Sequence, residues 1–434
     1  MMRALYSLLM WLLQPAMRHK LRRRAIAEPG YAQAVEERFG YYSVSCHAPA
    51  STLVWVHAVS LGETRAAAVL VGQLRRVLPG MQLLLTHGTA TGREQGTVLL
   101  QEGDVQAWQP WDTQGAVKRF LTHFRPRIGL LMETEIWPNL VAQCRADGIP
   151  LCLVNARLSE KSLRQAQRIA WLSHPAYQGL RAVWAQTADD AARLTQLGAP
   201  VQGVLGNLKF DATPDADQIQ QGRAWRQATQ RPVVLFAVSR EGEEYLLLQE
   251  IQRLMALAAV ESAQQATEKI AFRAQWLIVP RHPQRFDEVE QLCVAQGFTV
   301  SRRSRWRQRP QTADIWLGDS MQEMALYYAL ADVALLGGSF LPLGGQNLIE
   351  AAACECPIIM GPHTFNFAQA VSLAQDAGAA FCEPGMRQAV EHAIALLRDP
   401  AALLATRQAA TNMTLNHQGA AQRTACAVQK LLLR

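Results

Sequence analysis

Between Leu335 and Phe367 the chain reads LLGGSFLPLGGQNLIEAAACECPIIMGPHTFNF, and this stretch decides the fold class. An apolar run, Val333 to Leu336, ends in Gly337-Gly338-Ser339. A second glycine pair, Gly344-Gly345, opens a helix-compatible segment carrying Asn347 and Glu350. After Pro357, Ile358-Ile359-Met360 begins another buried strand. Strand, glycine loop, helix start and strand form the arrangement that brings backbone N–H groups and a positive helix N-terminus up to a phosphate. Glu350, about one turn into that helix, is placed to accept hydrogen bonds from ribose hydroxyls. Two readings stand side by side: a nucleotide phosphate site, or a glycine-rich turn inside an α/β core. Asn347 and Glu350 beside the glycines favour the first.

The same alternation extends outward. Strand-like runs occur at Leu53–Val56, Met81–Leu85, Ile128–Met132, Leu151–Val154, Ala182–Ala185 and Val201–Leu205, separated by helical spacing such as Glu63–Leu78. Near Asn207 the pattern breaks, and Asp211–Asp217 holds a proline and three aspartates before a helix running to about Thr229. A second series then uses Val233–Ala237, Trp276–Val279, Phe298–Val300, Asp314–Leu317 and Val333–Leu336. Strands alternating with helices of this length mean βαβ units and parallel sheets. A chain of 434 residues exceeds what one core usually supports. The expected architecture is two similar α/β domains in tandem, facing a central cleft, with an alanine-rich helical stretch from Pro400 onward.

A hydrophobic content of 49% with 18% charged residues excludes a disordered chain. Eight cysteines, scattered from Cys46 to Cys426, imply free thiols in a reducing compartment. Cys354-x-Cys356 is too isolated to read as metal ligation. The net charge of +7 is concentrated at the N-terminus, where Arg18, Lys20, Arg22, Arg23 and Arg24 follow a largely apolar Leu5–Met17. That run falls short of the roughly 20 residues of a comfortable span, and the order of charge and apolar residues is wrong for a signal peptide. An interfacial helix with arginines on anionic headgroups fits best. A marginal span with a cytoplasmic body, or an ordinary packing helix, remain as alternatives. Arg302–Arg309 carries five arginines in eight residues and reads as a solvated loop.

Further clusters sit where open α/β sheets bind ligands, just beyond strand ends. His57-Ala58-Val59-Ser60-Leu61-Gly62-Glu63 offers a carboxylate at a helix start, which is equally explained as a cap. Met132-Glu133-Thr134-Glu135 puts two acids at one strand end. Gly206-Asn207-Leu208-Lys209 brings a lysine suited to an anionic group, and Pro280-Arg281-His282-Pro283 an arginine suited to phosphate or carboxylate. Gly318-Asp319-Ser320-Met321-Gln322-Glu323 is another strand end entering a helix. There is no Walker lysine loop, Gly-x-Gly-x-x-Gly, His-Glu-x-x-His or serine elbow, which disfavours dehydrogenases and P-loop enzymes.

Taken in order, HAVSLGE, METEIWPNL, NARLS, GNLKFD, PRHP, GDSMQE and GGQNLIEAAA…MGPHTFNF closely resemble the 3-deoxy-D-manno-octulosonic acid (Kdo) transferases of Gram-negative lipopolysaccharide assembly. The resemblance covers nearly the whole chain. It implies two Rossmann-like domains in a glycosyltransferase-B fold with an N-terminal membrane-anchor helix. The domains would be 1–24 anchor and basic flank, 25–206 acceptor domain, 207–229 linker, 230–400 CMP-Kdo-binding domain and 401–434 helical segment. It implies CMP-Kdo as donor and the tetraacylated lipid A precursor (lipid IVA) as acceptor, at the cytoplasmic face of the inner membrane, with no metal, cofactor or nucleic acid.

By the same resemblance Glu63 is the general base, and Glu133 and Lys209 stabilise the transition state. Pro280, Arg281, Met321, Gln322, Glu323, Asn347, Leu348, Ile349 and Glu350 bind CMP, and Ser60, Gly62, Arg157 and Ser339 are weaker cleft contacts. Gln346 and Arg240 stand where the family usually has histidine, and Leu348 where proline is common. Another glycosyltransferase-B enzyme, such as a nucleotide-sugar epimerase or lipid A disaccharide synthase, and a silent nucleotide-binding scaffold are the rival readings.

Overall fold

A computed structural model describes residues 2–44, 52–261 and 274–433. Cys46 lies outside the described residues, and the other seven cysteines are free thiols. The chain divides into two units, one running to Ala212 and resuming at His417, the other Thr213–Asn416. Each is built on a parallel seven-stranded sheet.

The first unit's strands are β1 Leu53–His57, β2 Gln82–His87, β3 Val105–Trp108, β4 Ile128–Met132, β5 Leu151–Ala156, β6 Ala182–Ala185 and β7 Val201–Val204, in the order β3-β2-β1-β4-β5-β6-β7. The second unit's are β8 Val233–Ser239, β9 Gln275–Pro280, β10 Val300–Arg302, β11 Ile315–Leu317, β12 Val333–Leu336, β13 Ile358–Met360 and β14 Ala380–Cys382, in the order β10-β11-β9-β8-β12-β13-β14. The central strands are apolar at nearly every position because helices cover both faces. In β1, Val54 and Val56 join one core cluster while Leu53 and Trp55 join another. In both units the first strand lies in the middle of the sheet, so the winding reverses beside it.

The 401–434 segment is shared. The helix Pro400–His417 closes the second unit, whereas Ala420–Leu432 returns to the first. Its Ala421, Ala425 and Val428 pack into the cluster that holds Ala66, Ala67 and Leu70 of the helix Leu61–Val77. Asp211 receives the N–H groups of Gly419 and Ala421 at its start. An alanine-rich helix carries no periodicity that names the core it will cover.

The helix Met2–Leu12 lies against the first unit through its polar residues. Tyr6 donates to Asp112 at 2.9 Å, Ser7 donates to Asn139 at 2.9 Å, and Trp111 donates to the Met10 carbonyl at 3.3 Å. Leu5, Leu8, Leu9, Trp11 and Leu12 are all more than half exposed. No helix among the described residues is long and apolar enough to cross a membrane. The arginine-rich loop is held by acids: Arg302 meets Asp287, Glu290 and Asp319, and Arg303 meets Glu323.

At the end of β8 the backbone departs from the ladder. Val238 has φ 52°, uncommon for a β-branched residue, and the pairing with β9 slips between Ala237 and Ser239. Gly337, leaving β12, passes so close that a Cβ there would lie 2.6 Å from Ser239 Cα and 2.7 Å from the Val238 carbonyl oxygen. Gly337→Ala is expected to destabilise the protein by about 1–3 kcal/mol through overpacking, lowering the melting temperature by calorimetry. An unchanged melting temperature would mean that these two strand ends separate freely.

Candidate active site

Where windings leave a central strand in opposite directions, a crevice opens at the carboxyl ends of the strands. In the first unit that point lies between β1 and β4. From His57 the chain turns through Ala58-Val59-Ser60 into the helix Leu61–Val77. Ser60 caps this helix, its Oγ accepting from the Glu63 N–H at 3.4 Å. Glu63 reaches back: the Val59 N–H donates to Oε2 at 2.9 Å, and the Ser60 hydroxyl to Oε1 at 3.1 Å. Glu63 therefore helps to close the helix start, so the capping reading of Glu63 is correct as far as it goes. Burial nevertheless pushes the Glu63 carboxyl up to about 7, against the Val59 N–H, and Glu133 and Glu135 press in the same direction. A carboxyl that titrates near neutrality suits proton transfer better than helix capping requires.

Glu133, immediately after β4, is 3% exposed and adopts φ 57°. Its N–H donates to the Val154 carbonyl at 3.1 Å and its carbonyl accepts from the Arg157 N–H at 3.2 Å, which locks the turn to the end of β5. Lys209 Nζ lies 3.1 Å from Oε1 and Arg157 Nε 2.7 Å from Oε2. Lys209 is held in turn by Asn155, whose Oδ1 accepts the N–H of Leu208 at 3.0 Å, and by Asn207, whose Oδ1 accepts the Lys209 N–H at 3.0 Å. Asn155 has φ 51°, and its buried Nδ2 has no partner among the described residues. His57 and His87 below the rim are pushed down to about 3 and about 4, burial being the main cause in both. They are neutral and bond inward, to Thr86 and Ala58.

The second unit repeats the plan between β8 and β12. Glu243 is fully buried, and its carboxylate accepts the N–H groups of Arg240 at 2.9 Å, Gly338 at 2.7 Å and Phe340 at 3.0 Å. Glu244, also fully buried, accepts from Ser239 at 2.7 Å and from Arg285 at 2.6 and 3.2 Å. Arg281 follows β9, its N–H bonded to the Ser239 carbonyl at 3.0 Å. Burial and the Arg240, Arg281 and Arg285 guanidiniums push the His282 imidazole down. A rim of arginines therefore stands over acids that are sealed within the fold.

A sequence model for the family described as 3-Deoxy-D-manno-octulosonic-acid transferase (kdotransferase) matches residues 33–212. The 3-deoxy-D-manno-octulosonic acid transferase of Bordetella pertussis is 47% identical over 401 residues, covering 91% of each chain. That settles the family. The chain belongs to the Kdo transferases. The Kdo transferase of Haemophilus influenzae is 30% identical over 98% of this chain and 97% of its own. Among solved structures, a glycosyltransferase from Rickettsia africae ESF-5 aligns with TM-score 0.54 and 13% identity, over 89% of this chain and 100% of that one. That likeness speaks to fold alone, and agrees with two parallel-sheet domains of the glycosyltransferase-B kind.

In this Kdo transferase the residues singled out from sequence fall into groups. Glu63 and Ser60 share one loop, and Glu133, Arg157 and Lys209 form a single ion-pair cluster. A Cβ at Gly62 would find nothing nearer than Ser60 Oγ at 4.0 Å. Pro280 ends β9 and Arg281 follows it, while the Met321–Glu323 turn comes after the adjacent strand β11. Met321 is exposed, Gln322 has φ 65°, and Glu323 is occupied by Arg303 and Ser320. The helix expected after Gly345 is only Ile349–Ala353, so Glu350 sits in its first turn rather than one turn in, and the helix dipole is slight. Asn347 Oδ1 accepts the Ile349 N–H at 3.2 Å. Leu348 and Ile349 are buried, so neither presents a side chain to a ligand. Ser339 is fully buried, its hydroxyl bonded to the Leu336 carbonyl and the Gly361 N–H. Gln346 lies over Gly338, within 3.1 Å of where a Cβ would stand. Sequence reasoning missed Asn155 and Glu243. An asparagine just past a strand, able to take a left-handed backbone, was the available signal for the first.

A carboxyl raised from 4.5 to about 7 costs stability as pH climbs through that interval, because the folded state resists ionisation. Glu63→Gln keeps an oxygen for the Val59 N–H and removes the charge. Its melting temperature is expected to gain on the native protein between pH 4.5 and 7 and to exceed it at pH 8. A difference that stays constant with pH would place the Glu63 carboxyl in ordinary solvent.

Proposed function

We propose that this enzyme transfers Kdo from CMP-Kdo to the tetraacylated lipid A precursor, lipid IVA, by a metal-independent inverting displacement. The observation that carries the reading is the Glu63 carboxyl at the carboxyl end of β1, lifted to about 7 and facing Glu133. Glu63 takes the proton of an acceptor sugar hydroxyl as that oxygen bonds to the anomeric carbon of Kdo. The bond from that carbon to the phosphate oxygen breaks, and its electron pair leaves with CMP. The arginine rim of the second unit is suited to the phosphate that departs. Glu133 and Lys209, ion-paired to each other and joined by Arg157, are assigned to stabilising the transition state beside the base.

Glu63→Ala is expected to lower transfer by at least about 100-fold, assayed with CMP-Kdo and lipid IVA in the presence of EDTA, while CMP binding measured by calorimetry stays within about twofold. The native rate should rise with pH on an apparent pKa near 7. Unchanged transfer in the variant removes Glu63 from this role. Turnover with UDP-sugars but not with CMP-Kdo ends the donor assignment.

The same reading places the enzyme on the cytoplasmic face of the inner membrane. Its support is the exposed apolar side of Met2–Leu12, followed by the basic Gln14–Ala27 helix. Leu9→Glu with Leu12→Glu is expected to abolish cosedimentation with vesicles containing anionic lipid and to leave the melting temperature unchanged. Retained cosedimentation would move the membrane contact elsewhere.

A further inference from the structure

Arg38 lies in the short 3-10 helix Val35–Phe39 and is not used in the chemistry above. Its guanidinium carbon stands 3.8 Å from the centroid of Trp108 and 5.8 Å from that of Tyr31, two rings stacked 6.2 Å apart with planes 10° from parallel. Arg93 lies over Trp108 at 4.8 Å and Arg24 over Tyr31 at 5.1 Å. Three guanidiniums therefore share two aromatic faces. The carboxylate beside them, Glu37, is already committed to Arg93 at 3.0 Å and to the Trp108 N–H at 2.9 Å.

Among the described residues the Arg38 guanidinium makes one hydrogen bond, Nη2 to the Gly88 carbonyl at 3.0 Å, and its buried Nε has no partner. Arg24 donates only to the Tyr31 hydroxyl, at 3.3 Å. Burial, reinforced by Arg93 and Arg24, pushes Arg38 down to about 10. Arg38 and Arg24, planar donors held on aromatic faces with no carboxylate bonded to them among the described residues, are pre-organised for an oxyanion.

The cluster is also tied to the base. Gly88, which holds Arg38 by its carbonyl, donates its N–H to the Val59 carbonyl at 3.3 Å, and Thr89 does so at 3.0 Å. Val59 in turn gives its N–H to Glu63. One hydrogen-bonded path thus runs from Arg38 through the loop after β2 to the general base.

We propose that Arg38, flanked by Arg24 and Arg93, is an acceptor-side anion site that takes a phosphate group of the molecule whose hydroxyl Glu63 deprotonates. The proposal rests on the transferase reading. Recognition of this kind fixes the acceptor in register with the base and lowers its KM, without touching the donor.

The test uses the full-length enzyme with acceptor in neutral detergent micelles, so that no anionic lipid is present. Arg38→Met is expected to raise the acceptor KM about tenfold or more, with the CMP-Kdo KM unchanged. Inorganic phosphate should compete with acceptor in the native enzyme and lose that competition in the variant. A folded variant with unaltered acceptor KM, or an equal rise in both KM values, overturns the proposal. So does a defect seen only on anionic vesicles, which would assign the arginines to membrane headgroups. If Arg38→Met does not fold, Arg24→Gln on the exposed rim is measured for the same loss of phosphate competition, and retained competition overturns the site. Should the native enzyme fail to use CMP-Kdo at all, phosphate binding followed by calorimetry on native and Arg24→Gln protein still decides the site by itself.

Discussion

In a wholly parallel sheet every strand leaves the core at the same edge, and both faces are closed by helices. Polar chemistry is then confined to the few residues just beyond that edge, and a reversal of winding decides which of them meet. Here the reversals fall at β1/β4 and at β8/β12. Each functional loop follows from that constraint. The edge also sets a gradient of protonation. His57, one residue inside it, is held neutral, whereas Glu63, a few residues beyond, retains enough solvent and hydrogen bonding to titrate near neutrality.

The two rims use acids in opposite ways. In the first unit Glu133 holds its cations at the surface of the loop, with Arg157 half exposed. In the second, Glu243 and Glu244 are withdrawn from solvent and spend their charge on backbone N–H groups and Arg285. The first arrangement keeps paired charges close to the raised Glu63 carboxyl. The second leaves Arg240, Arg281 and Arg285 as the charges around His282. A strained Val238 and a tight Gly337 bring the ends of β8 and β12 into close contact there.

Central buried strands were legible because an unbroken apolar run admits few alternatives: β4, β6 and β12 begin and end where the residues suggested, and β13 begins there. The edge strands β3, reading VQAW, and β14, reading AFC, were not, because a short strand with one paired side has little apolar signature. Phe298 is buried but precedes β10, which starts at Val300. At the site, Glu63, Glu133 and Lys209 were each visible as residue types at strand ends. The ion pair between Glu133 and Lys209 was not, since 76 residues separate them. Nor does sequence reveal that Ser339 and Leu348 turn inward, because a glycine-rich loop has no periodicity from which to read a facing direction.

The return of Ala420–Leu432 to the first unit has a consequence for synthesis. The second unit is complete once Asn416 has emerged, but the first still lacks the helix that covers Leu61–Val77. Vectorial folding from the ribosome, which ordinarily finishes the N-terminal body first, is therefore reversed in its last step. The helix bearing Glu63 gains its full apolar cover only once Ala420–Leu432 has emerged, so the first unit is finished after the second.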